Sequence, residues 1–428
     1  MKTNSKLPKF LRIAALAALA FWAAISLGRI LQQTLSSSGG NDLYTYWYAG
    51  HFLREGKDFY KAFINNELPT VPVQYLDQKV DTLNEILFAG LSPAPASTAP
   101  VFFLLVPLAF LSWSSAKTVW LVLNLALLGA IPFLIVQLFP KKNWLNRWEL
   151  LALILAMIGL TSTRFAAASG QITFLILDLM LAAILLADRI PWVAGLFLGM
   201  ALSKYSLALG ILILFTFIDP KPRLVFAAGI VQVAGIVGLM LLSGSGFLEI
   251  FGEYIHMAFW HAGREGIHLA AALHAEQYLL LIALTLTLAV GIPLALWRWK
   301  KAGRPLNQSL ESLSRYHLAV ILILWVLLVG YHRAYDVMVV IVFFGLIAYL
   351  AKMPDSWDLS RRIRTALKAF AAIALLLLMV PSGSVVRGLL PLSLETLWGE
   401  AANLTATFLI TIFLVLTIII LFRVRDVK

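Results

Sequence analysis

The chain contains no cysteine. Disulfides, thiolate zinc sites and cysteine-ligated iron–sulfur clusters are therefore excluded, and any loop outside a membrane must be held by packing alone. Charge is scarce too: Asp, Glu, Lys and Arg make up 13% of the 428 residues, hydrophobic ones 61%, and the mean hydropathy is +0.86. That composition excludes an ordinary soluble domain. The strand-length polar/apolar alternation of a membrane β-barrel is missing, as are solenoid repeats, heptads, low-complexity tails and visible inverted symmetry between the halves.

What remains is a succession of apolar runs from residue 10 to residue 422. Only helices satisfy such a backbone in hydrocarbon as a single open chain, so the reading is an all-α integral membrane protein, one polytopic bundle over 1–428 with no soluble domain at either end. The net charge of +12 sits in short clusters between the runs: Lys2/Lys6/Lys9/Arg12, Lys141/Lys142/Arg147, Lys221/Arg223, Arg298/Lys300/Lys301/Arg304, Arg361/Arg362/Arg364 and Arg423/Arg425/Lys428. This is the positive-inside pattern rather than a nucleic-acid patch, and it places both termini in the cytoplasm. The first run is longer than a signal-peptide core and reads as an anchor.

With helix 1 at 10–31, a first extracytoplasmic loop covers 32–97 and a second large one 244–276. Residues 98–111, with Pro100 and Pro107, read as a half-helix in the outer leaflet, and 116–138 as a true span. Counting both as spans would place Lys141, Lys142 and Arg147 outside. Further spans at 149–164, 171–187, 191–203, 206–218, 223–243, 277–297, 316–330, 336–351, 366–381 and 402–422 bring the total to about twelve.

This topology gathers the notable polar residues on the outer side. Asn41 to Tyr60, NDLYTYWYAGHFLREGKDFY, puts Asp42 and Asp58 among Tyr44, Tyr46, Tyr48 and Tyr60 just after helix 1. Partial desolvation would lift Asp42 toward the range of a general base, and the same position also suits an N-cap for a helix over 43–54. Asp58, after Gly56, reads more as a turn residue than a functional one. Arg164 and Gly170-Gln171 fall at an outer helix-helix turn, where the Gln amide could hold a sugar hydroxyl or a backbone carbonyl. Lys204 interrupts an apolar stretch and either binds an anion or snorkels. Tyr331-His332-Arg333-Ala334-Tyr335-Asp336 fills a very short turn, where Arg333 and His332 could bind phosphate or Arg333 and Asp336 could form a capping ion pair. His256, His261, His268 and His274 lack the i, i+4 spacing of a helical metal site, so an amphipathic interfacial segment is expected and no metal. Asp178, in LILDLML, is expected to make an interhelical hydrogen bond.

In order along the chain, Asp42 with Tyr44 and Tyr46, Gly56-Lys57-Asp58-Phe59-Tyr60, APVFFLLVPLAFLSWSSAKTVWLVLNLALL, Gly170-Gln171 opening LILDLMLAAIL, and AGLFLGMALSK ending at Lys204 resemble the polyprenyl-phosphate-sugar-dependent glycosyltransferases of family 87, of the GT-C membrane fold. The resemblance implies a GT-C bundle with extracytoplasmic loops and juxtamembrane helices in a bacterial inner membrane. It implies a cofactor-free transfer of a sugar, mannose by analogy, from a polyprenyl-phosphate donor to a glycolipid or glycan acceptor on the extracytoplasmic face. It further implies that Asp42 is the catalytic base and that His332 helps bind phosphate or acceptor. Two departures, Thr98-Ala99-Pro100 before the second span and the missing proline after Lys204, bear on the donor sugar. The competing classes are a transporter or lipid-carrier flippase using Asp178 and Lys204, an O-antigen polymerase or ligase, and a non-enzymatic scaffold.

Overall fold

In a computed structural model of the protein, the described residues are 9–36, 39–65, 67, 74–75, 78–79, 97–139, 144–262, 312–330, 332–352, 361–379 and 392–421. Most of them are helical; the strands among them form one two-residue antiparallel ladder, Gln74–Tyr75 against Gln78–Lys79, and the rest are turns and links. Tyr331, His268, His274 and the span expected at 277–297 lie outside the described residues.

The helices follow in order as α1 (Lys9–Leu35), α2 (Asn41–Arg54), α3 (Phe59–Ile64), α4 (Ala99–Leu105), α5 (Trp113–Gln137), α6 (Arg147–Gly159), α7 (Thr161–Ser169), α8 (Thr173–Leu186), α9 (Pro191–Ala201), α10 (Tyr205–Ile213), α11 (Pro222–Ser243), α12 (Phe247–Ala262), α13 (Ser312–Val329), α14 (Ile341–Lys352), α15 (Arg361–Met379) and α16 (Leu392–Leu421). Local sequence sets many of their ends. Pro191 and Pro222 open α9 and α11, where a missing N–H costs nothing. Asn146 and Glu149 close a capping box on α6, and Ser112 caps α5. Gly170 and Gly244 end α7 and α11 in the left-handed conformation.

Among the described residues five helical stretches are long and apolar enough to cross a membrane, or six if the pair α6–α7, bent by 63°, counts as one. One of the five, Pro191–Ile218, folds back on itself. As a straight helix its 28 residues would extend about 42 Å. Yet Lys221 Nζ lies 2.7 Å from Asp188 Oδ1, and Arg315 binds both Asp188 and Asp219 at 2.6 Å. Both ends of the stretch therefore meet at one end of the bundle, and the reversal falls at Lys204, whose ψ of 71° breaks the helix between α9 and α10.

The same reasoning orders the rest. One end of the bundle gathers the Asp188/Asp219/Lys221/Arg315 ion cluster, the Lys352–Glu149 pair and the stacked rings of Phe139 and Tyr349. The other end gathers α2, α3, α4, Gly170, Lys204 and residues 332–336. Residues 98–111 form α4 and a 3-10 turn, Val106–Phe110, a short broken apolar helix that packs on α2 and α11. Loop 32–97 is in part helical: α1 runs on to Leu35, and α2 lies buried on nearly every side, with Tyr44, Trp47 and Trp113 in mutual ring contact. Interior packing of α2 is what turns a polar, aromatic loop segment into a fixed platform.

Candidate active site

The site is built on a backbone junction between α2 and α7. Gly40, at φ 76°, is the N-cap of α2, and its N–H donates to the Ala168 carbonyl at 2.9 Å. Gly170, at φ 74°, ends α7, and its carbonyl accepts from the Trp120 indole at 2.8 Å. A Cβ at Gly170 would come within 2.6 Å of Leu43 Cβ. Left-handed backbone and close approach together require glycine at this point. Lys117 Nζ adds a bond to the Ser36 carbonyl at 2.7 Å, fixing the end of α1 to α5.

This junction carries Asp42 into the first turn of α2. The helix starts at Asn41 under an unassisted Gly40 cap, so the side chain of Asp42 does not serve as the N-cap. Its carboxyl is half-buried and faces Ser169 and Gln171 of the neighbouring turn. Burial raises its pKa above the ordinary carboxylate value, opposed by the Gln171 side chain, the charge of Arg333, Ser169 and the charge of Lys204. An acid held this way has two of the properties of a general base: a lifted proton affinity and nearby groups that fix its direction.

Beside Asp42 lies a second, largely buried cluster. Lys204 Nζ bonds Asp336 Oδ1 at 2.5 Å, Thr173 Oγ1 at 3.0 Å and Gln171 Oε1 at 3.3 Å, and sits 4.8 Å from the centre of the Tyr335 ring. Asp336 is 2% exposed. Its carboxylate also takes Thr173 Oγ1 at 2.8 Å and lies 3.3 Å from His332 Nδ1. Where the sequence offers Arg333 as the partner of Asp336, the fold supplies Lys204 and His332. Lys204 thus neither snorkels nor stands free, because the buried carboxylate neutralises it. His332, 1% exposed, has its other nitrogen 3.2 Å from the Val326 carbonyl, so both ring nitrogens face protein acceptors.

Asp42, Gln171, Lys204, His332, Arg333 and Asp336, read from the sequence as candidates, therefore converge. Tyr44, Tyr46, Asp58 and Tyr60 take structural places. Tyr46 shares a hydrogen bond with Ser97 Oγ at 3.0 Å, and Tyr60 donates to the Ser97 carbonyl at 2.6 Å. Tyr44 is fully buried and packs edge-on against Trp113. Asp58 caps α3, accepting the Tyr60 and Lys61 N–H groups, as a turn residue would. It also faces Glu253 of α12, and burial with the Asp58 charge pushes the Glu253 pKa up to about 7. Arg164 lies about one and a half helix turns back along α7, next to Arg29 of α1.

Three outcomes differ from the sequence reading or were missed by it. Asp178 is buried but neither carboxyl oxygen has a hydrogen-bond partner among the described residues, so the expected interhelical bond is not made. Thr173 and Ser169 belong to the site and were passed over; their signal was position, each within two residues of Gly170-Gln171. Ser97, the common anchor of Tyr46 and Tyr60, gave no sequence signal at all.

A family model described as Glycosyltransferase family 87 matches residues 99–329. No curated protein and no solved structure matches the chain.

Proposed function

Because the chain belongs to glycosyltransferase family 87, and is therefore a glycosyltransferase carried on membrane-spanning helices, we propose that it moves one sugar, mannose by analogy, from a polyprenyl phosphate to a glycolipid or glycan acceptor, with Asp42 as the base. The observation that carries this reading is the half-buried Asp42 carboxyl fixed beside Gln171 and in the field of Arg333 and Lys204. The acceptor hydroxyl gives its proton to the Asp42 carboxylate as its oxygen bonds the sugar C1. The C1–O bond to the phosphate breaks on the opposite face, its electron pair leaves with the phosphate, and the configuration inverts. Phosphate is a stable leaving group and needs cations rather than a general acid; Arg333, whose charge is felt at Asp42, adds to the positive field on this side of the site.

Lys204 and His332 act through Asp336 in this scheme. They hold the turn 332–336 against Thr173 and Gln171, and so set where Arg333 and Gln171 stand relative to Asp42. Tyr44, Tyr46, Asp58 and Tyr60 shape the floor beneath the acceptor. By the positive-inside rule this end of the bundle faces the extracytoplasmic side, with both termini cytoplasmic, and the family resemblance favours a bacterial inner membrane. The chain forms one GT-C domain across its length.

Sugar transfer tests the reading. Membranes holding the wild-type chain should consume a polyprenyl-phosphate hexose in the presence of native acceptor, and Asp42→Asn should not. Transfer retained by Asp42→Asn would remove Asp42 from the mechanism.

A further inference from the structure

A cleft opens where α6 breaks into α7, lined by Trp22, Ser26 and Arg29 of α1 and by Gly159, Thr161 and Arg164. The break is tight: the Trp22 indole donates to the Gly159 carbonyl at 2.9 Å, and a Cβ at Gly159 would meet Met379 Cε at 2.7 Å and Trp22 Cδ1 at 2.8 Å. Arg164 is 4% exposed, yet its Nε and Nη2 have no hydrogen-bond partner among the described residues. Its guanidinium lies 5.0 Å from the centre of the Phe165 ring, and across the cleft it meets the like charge of Arg29. No carboxylate lines the cleft. The N-terminus of α7, which also borders it, has no side-chain cap and adds the positive end of a helix.

Two guanidiniums facing each other at membrane depth, that of Arg164 buried with unused donors, call for an anion. The chemistry favours phosphate, whose oxygens match the guanidinium fork. Its carrier is a lipid: α1 is a membrane-spanning helix and exposes Phe21, 70%, about two turns before Arg29, an apolar surface for a chain lying in the bilayer. The site also has a direction. α7 runs from Arg164 to Ser169 beside Asp42, about 7.5 Å of helix rise, which is the reach of a phosphate and the sugar ring attached to it. Lys204, by contrast, is already neutralised by Asp336.

We infer that Arg29 and Arg164 form the seat for the phosphate of a polyprenyl carrier, with α7 as the ruler that sets its sugar against Asp42. The identity of the carrier rests on the transferase reading; the seat for a lipid phosphate does not.

The test is equilibrium binding of undecaprenyl phosphate to the purified full-length chain, wild type against Arg29→Gln, Arg164→Gln and the double variant, with thermal unfolding of each. Binding should weaken at least tenfold in the double variant and partly in each single one. Its unfolding midpoint should hold or rise, because removing facing cations relieves repulsion. Asp42→Asn should bind as the wild type does, and Arg164→Lys should recover part of the loss. Undiminished binding by the folded double variant would overturn the seat. Displacement of the probe by inorganic phosphate alone would overturn the lipid assignment, and equal displacement by phosphatidylglycerol would overturn the polyprenyl carrier. Failure of the transferase reading would look different: no transfer from any donor, with binding still dependent on the two arginines.

Discussion

Asp42 carries opposed demands, and its own pH behaviour exposes them. Burial raises its pKa, and an acid whose folded pKa is raised costs the fold stability above that value and nothing below the unfolded one, about 3.9. Asp42→Asn should therefore melt higher than wild type at neutral pH, with the gap closing as pH falls through the raised folded pKa. Transfer should fall on the acid side at a pH above the ordinary carboxylate range, and should drop about 10²- to 10⁴-fold in the variant. A melting gap independent of pH would contradict the burial argument. Asp336 tests the other sign of removal, since Lys204 and Asp336 are both well buried. Lys204→Met strands a buried carboxylate and should cost about 3–5 kcal/mol, whereas Lys204→Met with Asp336→Asn should recover most of it. Denaturation of the four forms of that cycle gives the coupling directly.

At the scale of elements, the site depends on two glycines that bring α2 and α7 together. Gly170→Ala puts a Cβ into Leu43 and into left-handed backbone. The conformation alone costs about 1–2 kcal/mol, and the displaced α2 should carry Asp42 off line and reduce transfer more than tenfold, with donor binding less affected. Retained transfer rates in Gly170→Ala would show that this junction does not position Asp42. Much at this scale was legible in the sequence. Asp42 beside a run of tyrosines, Gly170-Gln171 at a helix reversal and Lys204 inside an apolar stretch each break a local rule, and polar residues that break a rule in a membrane chain mark a site. What could not be read was partnership. Lys204 meets Asp336 across 132 residues, and no spacing rule reports such a contact. The same gap left Asp42 open between base and N-cap, and the backbone gives the cap to Gly40, while Asp58 caps α3 as the turn reading expects.

For the molecule as a whole, the informative pattern is charge against run length. It anticipated the helical bundle, the short broken helix at Ala99–Phe110 and the reversal at Lys204 that length alone would deny. The full crossing count extends into residues outside those described. Because the chain has no cysteine, its orientation is open to single-cysteine labelling without background. Asn65→Cys, exposed after α3, should react with an impermeant maleimide added to intact cells. Arg189→Cys, exposed beside the Asp188 ion cluster at the opposite end, should react only after the membrane is opened. Labelling of both from outside would break the topology on which the extracytoplasmic site rests.

The measurement closest to the central claim is transfer of sugar from a panel of synthetic polyprenyl-phosphate monosaccharides, mannose first, in membranes containing either the wild-type chain or Asp42→Asn at matched expression. The account predicts consumption of at least one donor by the wild type, with inversion at C1, and none above background by the variant. Equal consumption by both, or consumption by neither in the presence of native acceptor, would contradict it.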